Sequence, residues 1–408
     1  MLKRYIEDAI INHFKELRQL VILVGPRQVG KTTLAKSLIP DLKQGVNYFN
    51  WDIAAHRKIL LTQIFSGKVE LKSGEKDVLV FDEIHKYPRW KNAIKGLFDK
   101  YEPNTHWIIT GSAVLDVYRK GQDSLVGRSF NYHLCPFTVA ELFETFRNKT
   151  FSLDTLLETE ISKPDDETQN TFDSLLKFGG FPEPYLKKSD SFLRRWRATR
   201  LDKLINQDLA SIEHLKHLAL VEKLMFLLPE RVGSPLSTNS LREDLEVHFA
   251  TVKHWIGLLE KIFYGFAIYP YTVQSSRMLK KEAKWYLWDW TEIDNEGFRF
   301  ENMVAVHLLK YVHYMNDLGI DELSLHYVRD KEKREADFLI CRKRKPLLLV
   351  ECKLHDITPS KSLSHFARIL TTKNAIQLVR DDIDPITFRY DRIKVDVLPA
   401  SSFLRELV

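Results

Sequence analysis

Cysteine is scarce in this chain of 408 residues: Cys135, Cys341 and Cys352 are its three, scattered and odd in number. Such a set offers neither a disulfide framework nor the paired spacing of a metal site, and it suits a reducing compartment. Long apolar runs are missing too. Stretches such as Leu347-Leu348-Leu349-Val350 fall far short of the roughly 20 residues a membrane-spanning helix needs, so no membrane partner is expected. The first residues, Met1 to Asp8, hold no apolar stretch followed by a small-residue cleavage site, and the cytoplasm is the expected location. One-sided charge is also lacking. The 61 Lys and Arg against 55 Asp and Glu leave +6, which permits a nucleic-acid partner without requiring one. What remains is ordinary folded-protein material, 44% hydrophobic and 28% charged, long enough for about two to four domains.

Against that background one stretch stands out. Gly25-Pro26-Arg27-Gln28-Val29-Gly30-Lys31-Thr32 fits the phosphate-loop pattern G-x-x-x-x-G-K-[ST]. The apolar run Leu20 to Val24 precedes it as a buried strand, and a helical pattern from Thr33 to Leu38 follows. The glycines allow a tight turn whose N–H groups point at phosphate oxygens, and the helix adds its N-terminal dipole. The expected ATP-binding set is therefore Gly25, Pro26, Arg27, Gln28, Val29, Gly30, Lys31, Thr32 and Thr33. Lys31 would reach the β- and γ-phosphates and the Thr32 hydroxyl would sit on Mg²⁺.

About fifty residues beyond this loop, Val78-Leu79-Val80-Phe81 ends in Asp82-Glu83, as a buried parallel strand does when its end opens onto a ligand. Asp82 would hold Mg²⁺ and Glu83 would orient or deprotonate the attacking water. Helical spacing is predicted before the loop over Tyr5 to Leu20, and again over Trp90 to Tyr101. Further strands are expected over Val46 to Asn50, His106 to Ser112 and Phe130 to Leu134. Thr110 and Ser112 are both candidates to sense the γ-phosphate, with Ser112 preferred. Arg128, in Val126-Gly127-Arg128-Ser129, is a candidate arginine finger acting on a neighbour's nucleotide.

These elements, with Pro136-Phe137-Thr138-Val139-Ala140-Glu141-Leu142, resemble the AAA-superfamily ATPases of bacteria and archaea. The closer resemblance is to the group whose ATPase domain precedes a C-terminal domain of unknown function, and Gly179-Gly180-Phe181-Pro182-Glu183-Pro184 and Lys284-Trp285-Tyr286-Leu287-Trp288-Asp289 fit that group. The resemblance implies a core of five parallel strands and often a homo-oligomer.

From Glu141 to about Lys223 the chain turns polar and helical, with Pro164-Asp165-Asp166-Glu167 read as an acidic linker. Arg194-Arg195-Trp196-Arg197-Ala198-Thr199-Arg200 suits a solvated helix face better than a nucleic-acid contact. Leu236 to Tyr271 has a winged-helix layout: helices over Ser240 to Leu245 and Ala250 to Ile262, then a hairpin from Tyr264. Lys253 and His254 would face outward on the second helix, and Arg277, Lys280, Lys281 and Lys284 could hold backbone phosphates on the wing. Winged helices also serve as protein-binding spacers.

The C-terminal part opens with a helix from Gly297 to Val312. Strands over Arg334 to Ile340 and Leu347 to Lys353 are joined by the basic turn Arg342 to Pro346. Alternation puts Glu351 and Lys353 on one face, with Asp337 of the partner strand beside Glu351. This is the PD-(D/E)XK pattern of metal-dependent nucleases. Glu301 matches the extra acid many of them carry, and Gln377 is a candidate helper. Two close carboxylates want a cation between them, so Glu301, Asp337 and Glu351 would hold Mg²⁺ while Asp337, Glu351 and Lys353 act on a phosphodiester. The first motif departs from the pattern, reading Glu335-Ala336-Asp337.

The fold class expected is α/β: a P-loop AAA-type parallel-sheet ATPase core (1–145), a helical lid and connector (146–225), a winged helix (226–290) and a restriction-endonuclease-like α/β domain (291–408). The function expected is a Mg²⁺-dependent ATPase that binds nucleic acid, DNA before RNA, and processes it. The competing reading is a nucleotide-operated switch whose C-terminal domain binds DNA or a protein without cutting. No acceptor-pocket motif supports a metabolic kinase.

Overall fold

The computed structural model describes residues 2–39, 47–68, 77–101, 105–111, 125–144, 152–210, 217–272, 282–372, 374–390 and 393–408. They form two compact units, Met1–Cys135 and Pro136–Val408.

The first unit is a five-stranded parallel sheet in the order β2-β3-β4-β1-β5. The strands are β1 (Leu20–Val24), β2 (Tyr48–Asn50), β3 (Asp77–Asp82), β4 (Thr105–Thr110) and β5 (Ser129–His133). All five side chains of β1 are buried. Its two sides are taken by β4 and β5, so it reads as an unbroken apolar run rather than an alternating one. Each of those large side chains stabilises the unit by about 1.5–3 kcal/mol on burial. Helix α1 (Glu7–Glu16) precedes β1, α2 (Lys31–Ser37) follows the loop, α3 (Ala54–Ile59) follows β2, and α4 (Trp90–Tyr101) buries Trp90, Ile94, Leu97 and Phe98. Because every strand runs the same way, their C-terminal ends gather at one edge. Leu23 pairs with Thr110, Thr110 with Asp82, and Asp82 with Asn50.

The second unit begins with helices. The stretch read as an acidic linker is instead a helix start: Asp165 caps Asp166–Phe178 by accepting from Thr168 N at 2.7 Å. The short polar side chain offers the acceptor that the first turn lacks. The helix ends at Gly179-Gly180, where a Cβ on Gly180 would lie 2.6 Å from the Phe137 carbonyl oxygen, so no larger residue fits. The basic run lies on the helix Asp190–Lys203 and splits by face: Trp196 and Arg200 are buried, Arg194 and Arg195 exposed. Helices Thr238–Leu245 and Phe249–Lys261 follow, then an antiparallel ribbon of β6 (Gly265–Ile268) and β7 (Lys284–Leu287). Arg277, Lys280 and Lys281 lie outside the described residues.

A long helix, Glu296–Asp317, capped by Asn295, leads into a mixed six-stranded sheet of order β12-β13-β11-β10-β9-β8. The hairpin read from the sequence is β9 (Glu335–Arg342) and β10 (Lys345–Lys353). Parallel β11 (Asn374–Val379) flanks β10. The sequence reading did not include β8 (Leu323–Arg329), β12 (Ile386–Tyr390), β13 (Ile393–Pro399) or the helix Lys361–Ile369. Leu339, Leu349, Leu363, Phe366, Ala375 and Val395 share one core of this sheet.

Candidate functional site

The phosphate loop joins β1 to α2. Gly25 has φ +147°, and a Cβ there would sit 2.2 Å from the Leu134 carbonyl oxygen; only glycine permits that approach. Lys31 is buried, and its ammonium donates to the carbonyls of Gly25 and Pro26, 2.7 Å each. The loop's own oxygens thus hold the lysine over the curl where phosphates would lie. Val29 is buried, Arg27, Gln28 and Gly30 are half-buried, and Thr33 is exposed.

Asp82 is buried and draws in four donors. Its Oδ2 accepts from Thr32 Oγ1 at 2.9 Å, Tyr48 Oη at 2.7 Å and Asn50 Nδ2 at 3.0 Å. Its Oδ1 accepts from Thr110 Oγ1. Two hard oxygens, of Thr32 and Asp82, therefore stand together at the start of α2, a donor pair that fits Mg²⁺. Burial pushes the Tyr48 phenol up, so it remains a hydrogen-bond donor. Glu83 sits in left-handed backbone, φ 56°, with its N–H on the Thr110 carbonyl at 3.1 Å. Burial raises its carboxyl, with Lys86 and Lys31 pulling the other way. Burial, helped by Lys86 and Lys31, lowers His85 to about 4, so its 3.8 Å approach to Glu83 joins a neutral ring to the acid and is no ion pair.

Three partners here were missed by sequence reasoning. Tyr48 and Asn50 had a signal, since they end a strand beside β3. Arg4 had none. It is buried, with Nη1 donating to the Val29 carbonyl and Nη2 to the Cys135 carbonyl, 2.6 Å each. Of the other residues expected at this site, Arg128 pairs with Asp99 at 2.7 Å, and Ser112 lies outside the described residues.

The second constellation lies on the six-stranded sheet. Val350 pairs with Phe338, which brings Glu351 alongside Asp337, and Cys352 N donates to Asp337 Oδ2 at 2.9 Å. Lys353 Nζ lies 2.9 Å from Glu351 Oε1. Glu301, from the long helix, joins the group through Lys284, and here one expectation is corrected. Lys284 is not on an exposed wing holding phosphates. It is fully buried, with Nζ 3.0 Å from Glu301 Oε1, 2.7 Å from Glu335 Oε1 and 3.4 Å from Asp337 Oδ1. Its place at the start of β7, bridged to Pro235, aims its side chain inward, where three acids compensate the buried charge.

Burial would lower the Lys284 pKa, but Tyr286, Glu301, Asp337 and Glu335 raise it well above its ordinary value, so it stays charged. Burial, then Asp337, lifts Glu301 and Glu351 each to about 7, with Lys284 and Lys353 respectively opposing. Among the described residues, no three His, Cys, Asp or Glu side chains are disposed to hold a metal ion. Glu301, Asp337 and Glu351 as they stand do not fit Mg²⁺: the first two share an ammonium, and Asp337 also takes a backbone N–H. Gln377 is spent on the backbone too, donating to Asp356 O and Thr358 O and accepting from Ser360 N.

Loop, strand order and acid pair define the class of the first unit, a P-loop domain on a five-stranded parallel sheet. Residues 17–143 match the family model described as an AAA domain. Residues 169–291 and 296–401 match models described as domains of unknown function, DUF8612 and DUF4143. Among relatives, the chain is 25% identical over 413 residues to the uncharacterized protein MJ1637 of Methanocaldococcus jannaschii, covering 92% of this chain and 83% of that one. It is 23% identical to an uncharacterized protein of Haemophilus influenzae, covering 86% and 85%. Among solved structures, Aeropyrum pernix ORC1 in complex with DNA is 14% identical, TM-score 0.32, covering 77% of this chain and 90% of that one. AMPPCP-bound DnaA of Aquifex aeolicus is 14% identical, TM-score 0.31, covering 62% and 86%. Similarities of this size define neither partner nor activity.

Proposed function

We propose that the first unit binds and hydrolyses ATP with Mg²⁺ and that the chain uses this cycle to control engagement of nucleic acid, DNA before RNA. The observation that carries the reading is the meeting of Lys31, Thr32, Asp82 and Glu83 at one sheet edge. Thr32 and Asp82 would hold Mg²⁺, which when bound neutralises charge on the β- and γ-phosphate oxygens. Lys31 would exchange the Gly25 and Pro26 carbonyls for phosphate oxygens, while the loop N–H groups and the α2 N-terminus cradle the chain of phosphates. Glu83, its proton affinity raised by burial, would orient the attacking water and take its proton. Ser112 would sense the γ-phosphate. Arg128 would serve a neighbour's nucleotide, which requires a homo-oligomer.

Nucleic-acid contact is supported by the outward face of Phe249–Lys261, where Ala250, Lys253, His254 and Lys261 are exposed in the manner of a winged-helix reading helix. Cleavage at Asp337, Glu351 and Lys353 remains part of the nuclease reading. One observation favours the alternative, a nucleotide-operated switch that binds without cutting: Lys284 already takes the Glu301 and Asp337 oxygens that metal would need.

The test is phosphate release with Mg²⁺, with and without double-stranded DNA, following DNA integrity in the same samples. DNA-stimulated ATPase that weakens steeply between about 50 and 200 mM salt, with the DNA intact, is expected. No ATP hydrolysis would sink the first claim, and no DNA binding at low salt the second.

A further inference from the structure

The acid cluster of the second unit is already satisfied from within the chain. An ammonium has three N–H bonds, and Lys284 Nζ has three carboxylate oxygens around it, those of Glu301, Glu335 and Asp337, at 3.0, 2.7 and 3.4 Å. Further donors reach the same acids: Tyr286 Oη donates to that same Glu301 Oε1 at 2.7 Å, and the second oxygens of Asp337 and Glu335 accept from Cys352 N at 2.9 Å and Arg329 Nη1 at 3.1 Å. A divalent cation would need several of these oxygens at about 2.0–2.2 Å, and it cannot share them with an ammonium that is fully buried. One acceptor is left over. Glu351 is buried, and its Oε2 lies without a hydrogen bond of good geometry beside this cluster, an arrangement that costs stability unless a donor or cation supplies the missing partner.

The lysine comes from outside the sheet that carries the acids. It opens β7 of the ribbon that follows the Thr238–Leu245 and Phe249–Lys261 helices, with Leu236 N donating to the Ala283 carbonyl at 2.8 Å to hold that strand start in place. The cation therefore belongs to the nucleic-acid-facing module and the acids to the nuclease-like one.

We propose that Lys284 is the resident cation of this cluster: its ammonium occupies the place of a divalent metal, so the cluster binds no Mg²⁺ or Mn²⁺ while the lysine is seated. Removing the charge without the volume, Lys284→Met, leaves buried Glu301 and half-buried Glu335 and Asp337 without a cation and opens a metal site in which Asp337 and Glu351 take part. This rests on reading the second unit as nuclease-like and is independent of the ATPase reading. Phosphate release measured on the same preparations reports that reading separately.

The experiment is Mn²⁺ titration of the nucleotide-free full chain, followed by electron paramagnetic resonance of the free ion. Comparison with Asp337→Asn isolates this cluster from Thr32 and Asp82. The wild-type isotherm should be the same with and without Asp337→Asn. Lys284→Met should gain one Mn²⁺ site, tighter by about tenfold or more than anything Asp337 contributes in the wild type, and Lys284→Met with Asp337→Asn should lose it again. Its melting temperature should fall in EDTA and recover with Mn²⁺. A wild-type site that disappears in Asp337→Asn would overturn the proposal, as would a folded Lys284→Met chain that gains none. If Lys284→Met does not fold, the wild-type and Asp337→Asn isotherms decide alone: agreement supports the resident lysine, and a difference refutes it.

Discussion

Thr32 Oγ1 donates to Asp82 Oδ2 at 2.9 Å, joining two residues fifty positions apart in the chain. The bond sets the first turn of α2 against the end of β3, so both oxygens face the same point. Asp82→Asn keeps the volume but gives up charge and one acceptor. ATP hydrolysis should fall by about 100-fold or more, the size of losing a metal-holding group, and the Mg²⁺ concentration for half-maximal rate should rise. A Mg²⁺ titration of phosphate release checks both.

Glu83→Gln should separate binding from chemistry. Nucleotide affinity should hold, because the loop and Lys31 are untouched, while the rate drops by about 10² to 10⁴. In the wild type the rate should rise with pH through a value above the ordinary carboxylate range, since burial raises Glu83 and only its ionised form is a base. That acid limb should vanish in the variant. A pH–rate profile of both proteins decides it.

Arg4 holds two carbonyls, at Val29 and Cys135, with one guanidinium. Arg4→Ala removes both bonds and should cost about 2 to 3 kcal/mol of stability. With the loop less well held, KM for ATP should rise more than kcat falls. Arg4→Lys should restore only part of this, because a lysine cannot span both acceptors in a fixed fork. Denaturant midpoints and steady-state kinetics give the comparison.

Glu351 carries a stability signature. Its folded-state pKa of about 7 stands above the unfolded value of 4.5. Between these two the unfolded chain releases its proton first, so stability is full below the lower value and is lost as pH rises towards the upper one. The loss should reach up to about 3 kcal/mol. Glu351→Gln should flatten the dependence. Urea unfolding at a series of pH values, wild type against variant, measures it.

Lys253→Ala should weaken DNA binding about equally across sequences and reduce the slope of log affinity against log salt by about one, as the loss of one phosphate contact does. Filter binding at several salt concentrations reads the slope. An unchanged slope would turn attention to a protein partner for this helix.

The nucleotide site was legible because its chemistry is local. A phosphate loop needs glycines, a lysine and a hydroxyl within eight consecutive positions, and a buried parallel strand ending in acids is apolar without a break. Periodicity of the same kind placed α4 and the β9–β10 hairpin. Three strands differ in how much they offered. β2 is three residues long and was read only as part of Val46 to Asn50; β12 is largely exposed; and β13 does alternate, Ile393-Lys394-Val395-Asp396-Val397, a pattern the reading passed over. The Gly179-Gly180 and Trp288-Asp289 motifs were visible but mute. In the fold they pack together, with a Cβ on Gly179 meeting Thr291 at 2.8 Å, and Arg200 buried 3.1 Å from Glu292.

By itself, then, the sequence determined the phosphate loop, the strand that carries Asp82 and Glu83, and the pairing of Asp337 with Glu351, because each depends on neighbours along the chain or on one strand's alternation. Tertiary structure alone decided what those groups face. Arg4 reaches the loop from an N-terminal segment with no motif of its own. Lys284, which by composition belongs to a basic wing, is turned inward onto Glu301, Glu335 and Asp337. Whether a lysine meets water, a phosphate or three carboxylates is settled by which distant strands pack beside it. That contact between strands far apart in sequence converts an expected metal site into one that already holds its cation.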